Sequence, residues 1–155
     1  MLIADIRFCD KEDVDRILTV DKLSPYPWSE NVIIRDLLVG DSKISYIGAF
    51  APIDGNVLLG YAAVGEEEGN GLLMNLVVSP QYRRRGVGVQ LVMASAELAS
   101  ALGFLKLVLR VRITNYAATA LYRELGFRCE GTCDGFYSDG NAARYMSVKL
   151  PLEIS

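Results

Sequence analysis

Histidine is absent from all 155 residues, and with it goes much of the usual catalytic repertoire. No Ser–His or Cys–His nucleophile pair can form, no zinc site can use imidazole, and no His can act as a general base. Cysteine is scarce: Cys9, Cys129 and Cys133 are odd in number and lack a C-x-x-C spacing, which reads as buried or half-buried free thiols, and no metal is expected. Positive charge is not in excess. The net charge of −3 gives no general electrostatic reason to bind nucleic acid. The sequence shows no apolar run near the roughly 20 residues of a membrane span, and its start lacks a charged region followed by an apolar one. A cytoplasmic chain with no membrane partner is the expectation. Chemistry is left to carboxylates, tyrosines, backbone amides or a borrowed cofactor.

Periodicity in what remains points to one mixed α/β domain over residues 1–155. Alternation over 2–8 predicts a first strand. Asp10 is placed to cap a helix carrying Val14, Ile17 and Leu18. Pro25 and Pro27 break it, and Ser29 can cap a second helix through Leu38. Residues 44–51 and 57–64 predict strands joined by the turn residues 52–56. After the acidic Glu66-Glu67-Glu68 and the turn Gly69-Asn70-Gly71, residues 72–78 form a further strand ended by Pro80. A long helix follows with Val87, Leu91, Ala94, Leu98 and Leu102 on one face, closed by Gly103. Residues 105–112 predict a strand, 116–125 a helix ended by Gly126, and 127–137 with 143–150 a final strand pair.

The most informative stretch is Val78-Ser79-Pro80-Gln81-Tyr82-Arg83-Arg84-Arg85-Gly86-Val87-Gly88. An apolar strand ends, then arginines and glycines open a helix, whose free amides and dipole make an anion site. Gly86 and Gly88 let the backbone approach a phosphate, and Arg83, Arg84 and Arg85 can hold further phosphate charge. A Walker A loop would need Lys-Ser/Thr after its last glycine, where Val89-Gln90 stand here. A dinucleotide fingerprint would need three glycines after the first strand. Neither fits.

Arg83-x-x-Gly86-x-Gly88 resembles the pyrophosphate motif Q/R-x-x-G-x-G/A of the GNAT acetyltransferase superfamily. Arg112 to Phe127 resembles the same family's R-x-x-N-x-x-A-x-x-L-Y-x-x-x-G-F, with Asn115, Ala118, Leu121, Tyr122, Gly126 and Phe127 in register. The resemblance implies a mostly antiparallel mixed sheet, splayed between the fourth and fifth strands and flanked by helices, and acetyl-CoA as cosubstrate. It implies that amides over 84–89, including those of Gly86, Val87, Gly88 and Val89, hold the pyrophosphate. Backbone at Leu76 and Val78 would pair with the pantetheine arm, the Leu76 region would supply an oxyanion donor, Asn115 would bond the arm, and Tyr122 would protonate the departing thiolate. That transfer runs uphill from tyrosine near 10 to a thiol near 8.5, about 2 kcal/mol, which a preorganised site can offset.

Tyr26-Pro27-Trp28-Ser29-Glu30, Met74-Asn75-Leu76-Val77-Val78 and Gly135-Phe136-Tyr137 resemble segments of RimI-like enzymes, which acetylate the N-terminal α-amine of a ribosomal protein. Trp28, Arg110 and Tyr137 become candidate acceptor-binding residues. Trp28 could equally be a staple between helices, and Tyr137 a packing residue. One position departs from that pattern: the glutamate used as base, five residues before the motif asparagine, is Arg110 here. Arginine takes no proton near neutral pH, so a base comes from elsewhere or none is needed. Glu66, Glu67 and Glu68 are the candidates, against a reading of them as a solvated hairpin tip. A small-molecule amine as acceptor, with Arg110 pairing its carboxylate, and a coenzyme A-binding domain without catalysis both stay open. So does the choice between monomer and homodimer.

Overall fold

The computed structural model describes residues 1–39 and 42–153. Seven strands form one mixed sheet in the order β1-β2-β3-β4-β5-β7-β6: β1 (Asp5–Phe8), β2 (Ser45–Phe50), β3 (Leu58–Glu67), β4 (Asn70–Val78), β5 (Lys106–Arg112), β6 (Arg128–Cys133) and β7 (Ala143–Lys149). β1–β2, β2–β3, β5–β7 and β6–β7 pair antiparallel. β4 runs parallel to β5 through Gly71, Leu72 and Leu73 opposite Leu107, Val108 and Leu109. Both strands continue beyond that short ladder, as the predicted splay requires. Among the described residues the α-helices are α1 (Val14–Asp21), α2 (Glu30–Leu38), α3 (Val87–Ala101) and α4 (Tyr116–Glu124), and none of them is long and apolar enough to cross a membrane.

The chain divides into two compact units. The first comprises Met1–Gly65 with Asn75–Ser95. Asp10 starts its helical region as predicted, in a capping box: its side chain accepts from Glu12 N–H at 2.9 Å while Asp13 Oδ2 accepts from Asp10 N–H at 3.0 Å. Ser29 precedes α2 but makes no side-chain cap bond. Buried Ile17, Ile33, Phe50, Leu59 and Leu91 form this unit's core, each side chain stabilising the fold by about 1.5–3 kcal/mol.

The second unit comprises Glu66–Met74 with Ala96–Ser155. Leu107, Leu109, Met146 and Phe127 are buried in it. Gly126 follows α4 at φ +98°. The acidic segment differs from its sequence reading. Glu66 and Glu67 still belong to β3, and the turn is Glu68-Gly69, at φ +50° and +81°, two positive dihedrals of the kind that fold a tight hairpin. Asn70 and Gly71, predicted as turn, begin β4. The strand predicted over 127–137 is shorter because its register shifts between Cys129 and Gly131 and the ladder stops at Cys133. Cys9 and Cys133 are half-buried free thiols as expected, but Cys129 is exposed on that irregular strand.

Candidate active site

In the first unit, β4 ends at Val78, a 3-10 turn covers Pro80–Tyr82, and α3 opens at Val87. Between them Arg84 adopts φ +63° and Gly86 φ +83°. Helical bonding begins with Gln90 N–H donating to the Gly86 carbonyl at 3.2 Å. The amides of Val87, Gly88 and Val89 are therefore the open donors of a helix start. No acidic side chain occurs from 79 to 90, and Arg84 and Arg85 are exposed. These residues fit a diphosphate. Arg83 is exposed, and its Nε donates to the Val78 carbonyl at 3.3 Å, tying the turn to the strand end while its terminal nitrogens keep their donors.

Leu76, half-buried on β4, also has a partner. Its N–H donates to Oδ1 of Asn75 at 3.1 Å, and Asn75 Nδ2 donates to the Tyr61 hydroxyl at 2.8 Å. Tyr61 O–H donates to Oδ1 of Asp21 at 2.7 Å, and the other oxygen of that carboxylate accepts from Trp28 N–H at 2.9 Å. Four bonds thus run from a β4 amide, through a buried tyrosine, to the loop that carries Trp28. Burial, then the bond to Asp21, pushes the Tyr61 phenol well above its ordinary value. Tyr61 and Asp21 escaped the sequence reading, and Asn75 entered it only within the Met74–Val78 segment, since nothing local distinguishes a buried polar residue from a surface one.

In the second unit, Asn115 is the N-cap of α4, its Oδ1 accepting from Ala118 N–H at 3.1 Å. Its Nδ2 is left to donate to a ligand. Tyr122 lies on the same helix, 6% exposed, its ring tilted against Phe127 with centroids 5.5 Å apart. Its hydroxyl has no hydrogen-bond partner among the described residues. Burial, then the neighbouring Tyr137, raises its pKa, so the phenol holds its proton throughout the neutral range.

Arg110 does not stand alone on β5. Its two terminal nitrogens donate to the two oxygens of Glu67, at 2.9 and 2.8 Å, and its guanidinium carbon lies 5.3 Å from the Phe136 ring centre and 5.1 Å from that of Tyr145. Glu67 is not a freely solvated tip. The Arg110 bonds hold its carboxyl below the usual glutamate range, which makes it a poor base. Glu67, Glu68, Arg110, Thr132, Cys133 and Tyr145 line an open cavity of about 530 Å³. Tyr137 carries the Arg112 guanidinium 4.0 Å from its ring centre, and Arg112 also pairs with Asp139 at 2.7 Å. The Arg110–Glu67 partnership had no sequence signal, because the two residues lie 43 positions apart.

Comparison with known proteins agrees with this geometry. The family model described as the acetyltransferase (GNAT) family matches residues 11–127. An N-alpha-acetyltransferase of Saccharolobus solfataricus is 27% identical over 161 aligned positions, covering 94% of this chain and 92% of that protein. The ribosomal-protein-S18-alanine N-acetyltransferase structure from Escherichia coli superposes with a TM-score of 0.81 at 23% identity, covering 97% of this chain and 96% of the other. The structure of Arabidopsis thaliana NAA60 in complex with acetyl-CoA gives 0.82 at 19% identity, over 94% and 98% of the two chains. At those identities the superpositions speak for the fold, and the family match speaks for the chemistry. The chain belongs to the acetyltransferase (GNAT) family and is an acetyl-CoA-dependent acetyltransferase.

Proposed function

We propose that the 155-residue chain works as one N-acetyltransferase domain, acetylating the N-terminal α-amine of a peptide or protein by direct attack in a ternary complex. A ribosomal protein is one candidate acceptor. The observation that carries the choice of acceptor is the bidentate Arg110–Glu67 pair. Arg110 takes no proton near neutrality, and Glu67 holds one only in acid. Without a strong base, the acceptor must arrive partly neutral. An α-amine of pKa about 7.7–8.0 is roughly 10–17% neutral at pH 7, against about 0.04% for a lysine of pKa 10.4, a difference of a few hundredfold. The S. solfataricus relative, an N-alpha-acetyltransferase, supports the same reading. Arg110, already holding a carboxylate, is a poor partner for a second one, which counts against a carboxylated small amine.

Acetyl-CoA, when bound, supplies an acyl carbon activated as a thioester. Amides over 84–89, with Arg83, Arg84 and Arg85, receive its diphosphate, and Arg83 Nε also steadies the turn. Leu76 and Val78 offer strand backbone to the pantetheine arm, the Leu76 amide exchanging Asn75 for this new acceptor, and Asn115 donates through Nδ2. Tyr122 holds a proton at its hydroxyl for the departing sulfur. A phenol with no partner in the fold supports an active enzyme over a mere binder. Trp28 and Tyr137 border the acceptor.

A pH series tests the reading. With peptide acceptors of differing α-amine pKa, kcat/KM should rise with unit slope and level at each acceptor's own pKa. A plateau fixed near pH 6 for every peptide would reveal an enzyme base. Faster acetylation of internal lysines than of free N-termini would remove the α-amine reading.

A further inference from the structure

The turn at 84–86 holds a conformation that its own residues do not favour. Arg84 at φ +63° lies in the left-handed region, which disfavours any residue with a Cβ and persists where the surroundings over-determine it. Those surroundings are the segment before β1 and one glutamine. Leu2 N–H donates to the Arg85 carbonyl at 2.9 Å. The Gln90 side chain donates through Nε2 to the carbonyls of both Leu2, at 2.7 Å, and Gly86, at 3.0 Å. Its Oε1 accepts from Ala4 N–H at 2.9 Å. Two carbonyls on one side and an N–H on the other fix which way the amide faces. The Met1 side chain, itself 87% exposed, lies beside Gly86: a Cβ added there would stand 3.0 Å from its Cε and 3.1 Å from its Cγ.

Peptide planarity turns these bonds into an instruction. In a trans peptide the carbonyl and the following N–H point opposite ways. Holding the Arg85 carbonyl on Leu2 and the Gly86 carbonyl on Gln90 therefore aims the N–H groups of Gly86 and Val87 away from the amino-terminal segment. We propose that Met1, Leu2, Ala4 and Gln90 are positioning residues of the acetyl-CoA site, fixing the two peptide planes whose amides receive the diphosphate. The inference rests on the reading that this turn binds the diphosphate, and extends the site to residues that never touch the ligand. In a ligand-free protein the strap keeps the amides convergent, so binding does not have to order them.

Calorimetric titration with coenzyme A tests it. Gln90→Met keeps helix propensity and approximate volume while removing three hydrogen bonds, and Leu2→Pro deletes one N–H and leaves the Leu2 carbonyl in place. Coenzyme A should bind each variant roughly tenfold more weakly, with the acceptor's KM unchanged. Because both act on one turn, the losses in the double variant should fall short of additive. In the unaltered protein, coenzyme A should slow hydrogen exchange at the Leu2 and Ala4 amides, by the reciprocity of linked equilibria. Unchanged coenzyme A affinity in folded variants, even with a lowered melting temperature, would make the strap a plain fastening and overturn the proposal. So would unaltered exchange at Leu2 and Ala4. Failure of the unaltered protein to bind coenzyme A would instead overturn the diphosphate reading beneath it.

Discussion

Tyr61 and Tyr122 are both buried, at 0% and 6% exposure, and burial raises both phenols, yet the fold treats their hydroxyls in opposite ways. Tyr61 donates to Asp21 and accepts from Asn75, so both sides of its oxygen are used within the first unit. Tyr122 has an aromatic neighbour and no hydrogen-bond partner among the described residues. The fold makes no use of that oxygen, and a phenylalanine would fill the same space. One tyrosine belongs to the architecture; the other is the proton donor proposed above.

Substitution separates the two most sharply at Tyr122. Tyr122→Phe should lower turnover by about a hundredfold or more, the usual loss on removing a general acid, with thermal stability and coenzyme A binding near those of the parent. A normal rate in that variant would return Tyr122 to the architecture. Tyr61→Phe should do the reverse. It strips a donor from the buried Asp21 carboxylate, so urea denaturation should show a loss of about 1–3 kcal/mol, with little change in turnover per folded molecule. A collapse in turnover with intact stability would move Tyr61 into the chemistry instead.

The smallest effect is expected at a charged pair. Glu67 has a folded-state pKa depressed mainly by its bonds to Arg110. The stability it adds is present above the ordinary glutamate value of 4.5 and is lost as pH falls through the lowered folded value. Both partners are partly exposed, so Glu67→Gln should cost at most about 1 kcal/mol near neutrality. Its stability should then fall less steeply than the parent's below pH 4.5. Parallel acid curves for the two proteins would mean that the pair does not persist in solution.

The helix-opening turn was far more legible in the sequence than the long-range polar pairs, for a physical reason. A turn that opens a helix is made by neighbours in the chain, so its glycines, arginines and flanking periodicity appear together within 78–89. The same holds for Asn115 capping the helix that carries Tyr122. Two other pairings join residues far apart in the chain and had no local signal: Arg110 with Glu67 across 43 positions, and Asp21 with Tyr61 across 40. The acidic triplet resembled a solvated tip because charge alone does not say where a hairpin turns. The strap was equally hidden, since Gln90 bonds to residues 86 and 88 positions earlier.

The sheet order also bears on how the protein is made. β7 is the last strand of the chain, yet it lies between β5 and β6 and pairs antiparallel with both. During synthesis β5 and β6 emerge first, each with an edge that has nothing to pair with until residues 143–149 follow. Unpaired edges of this kind are templates for pairing with the wrong chain. The second unit can close its part of the sheet only once β7 has settled between β5 and β6, so those two strands share one late partner.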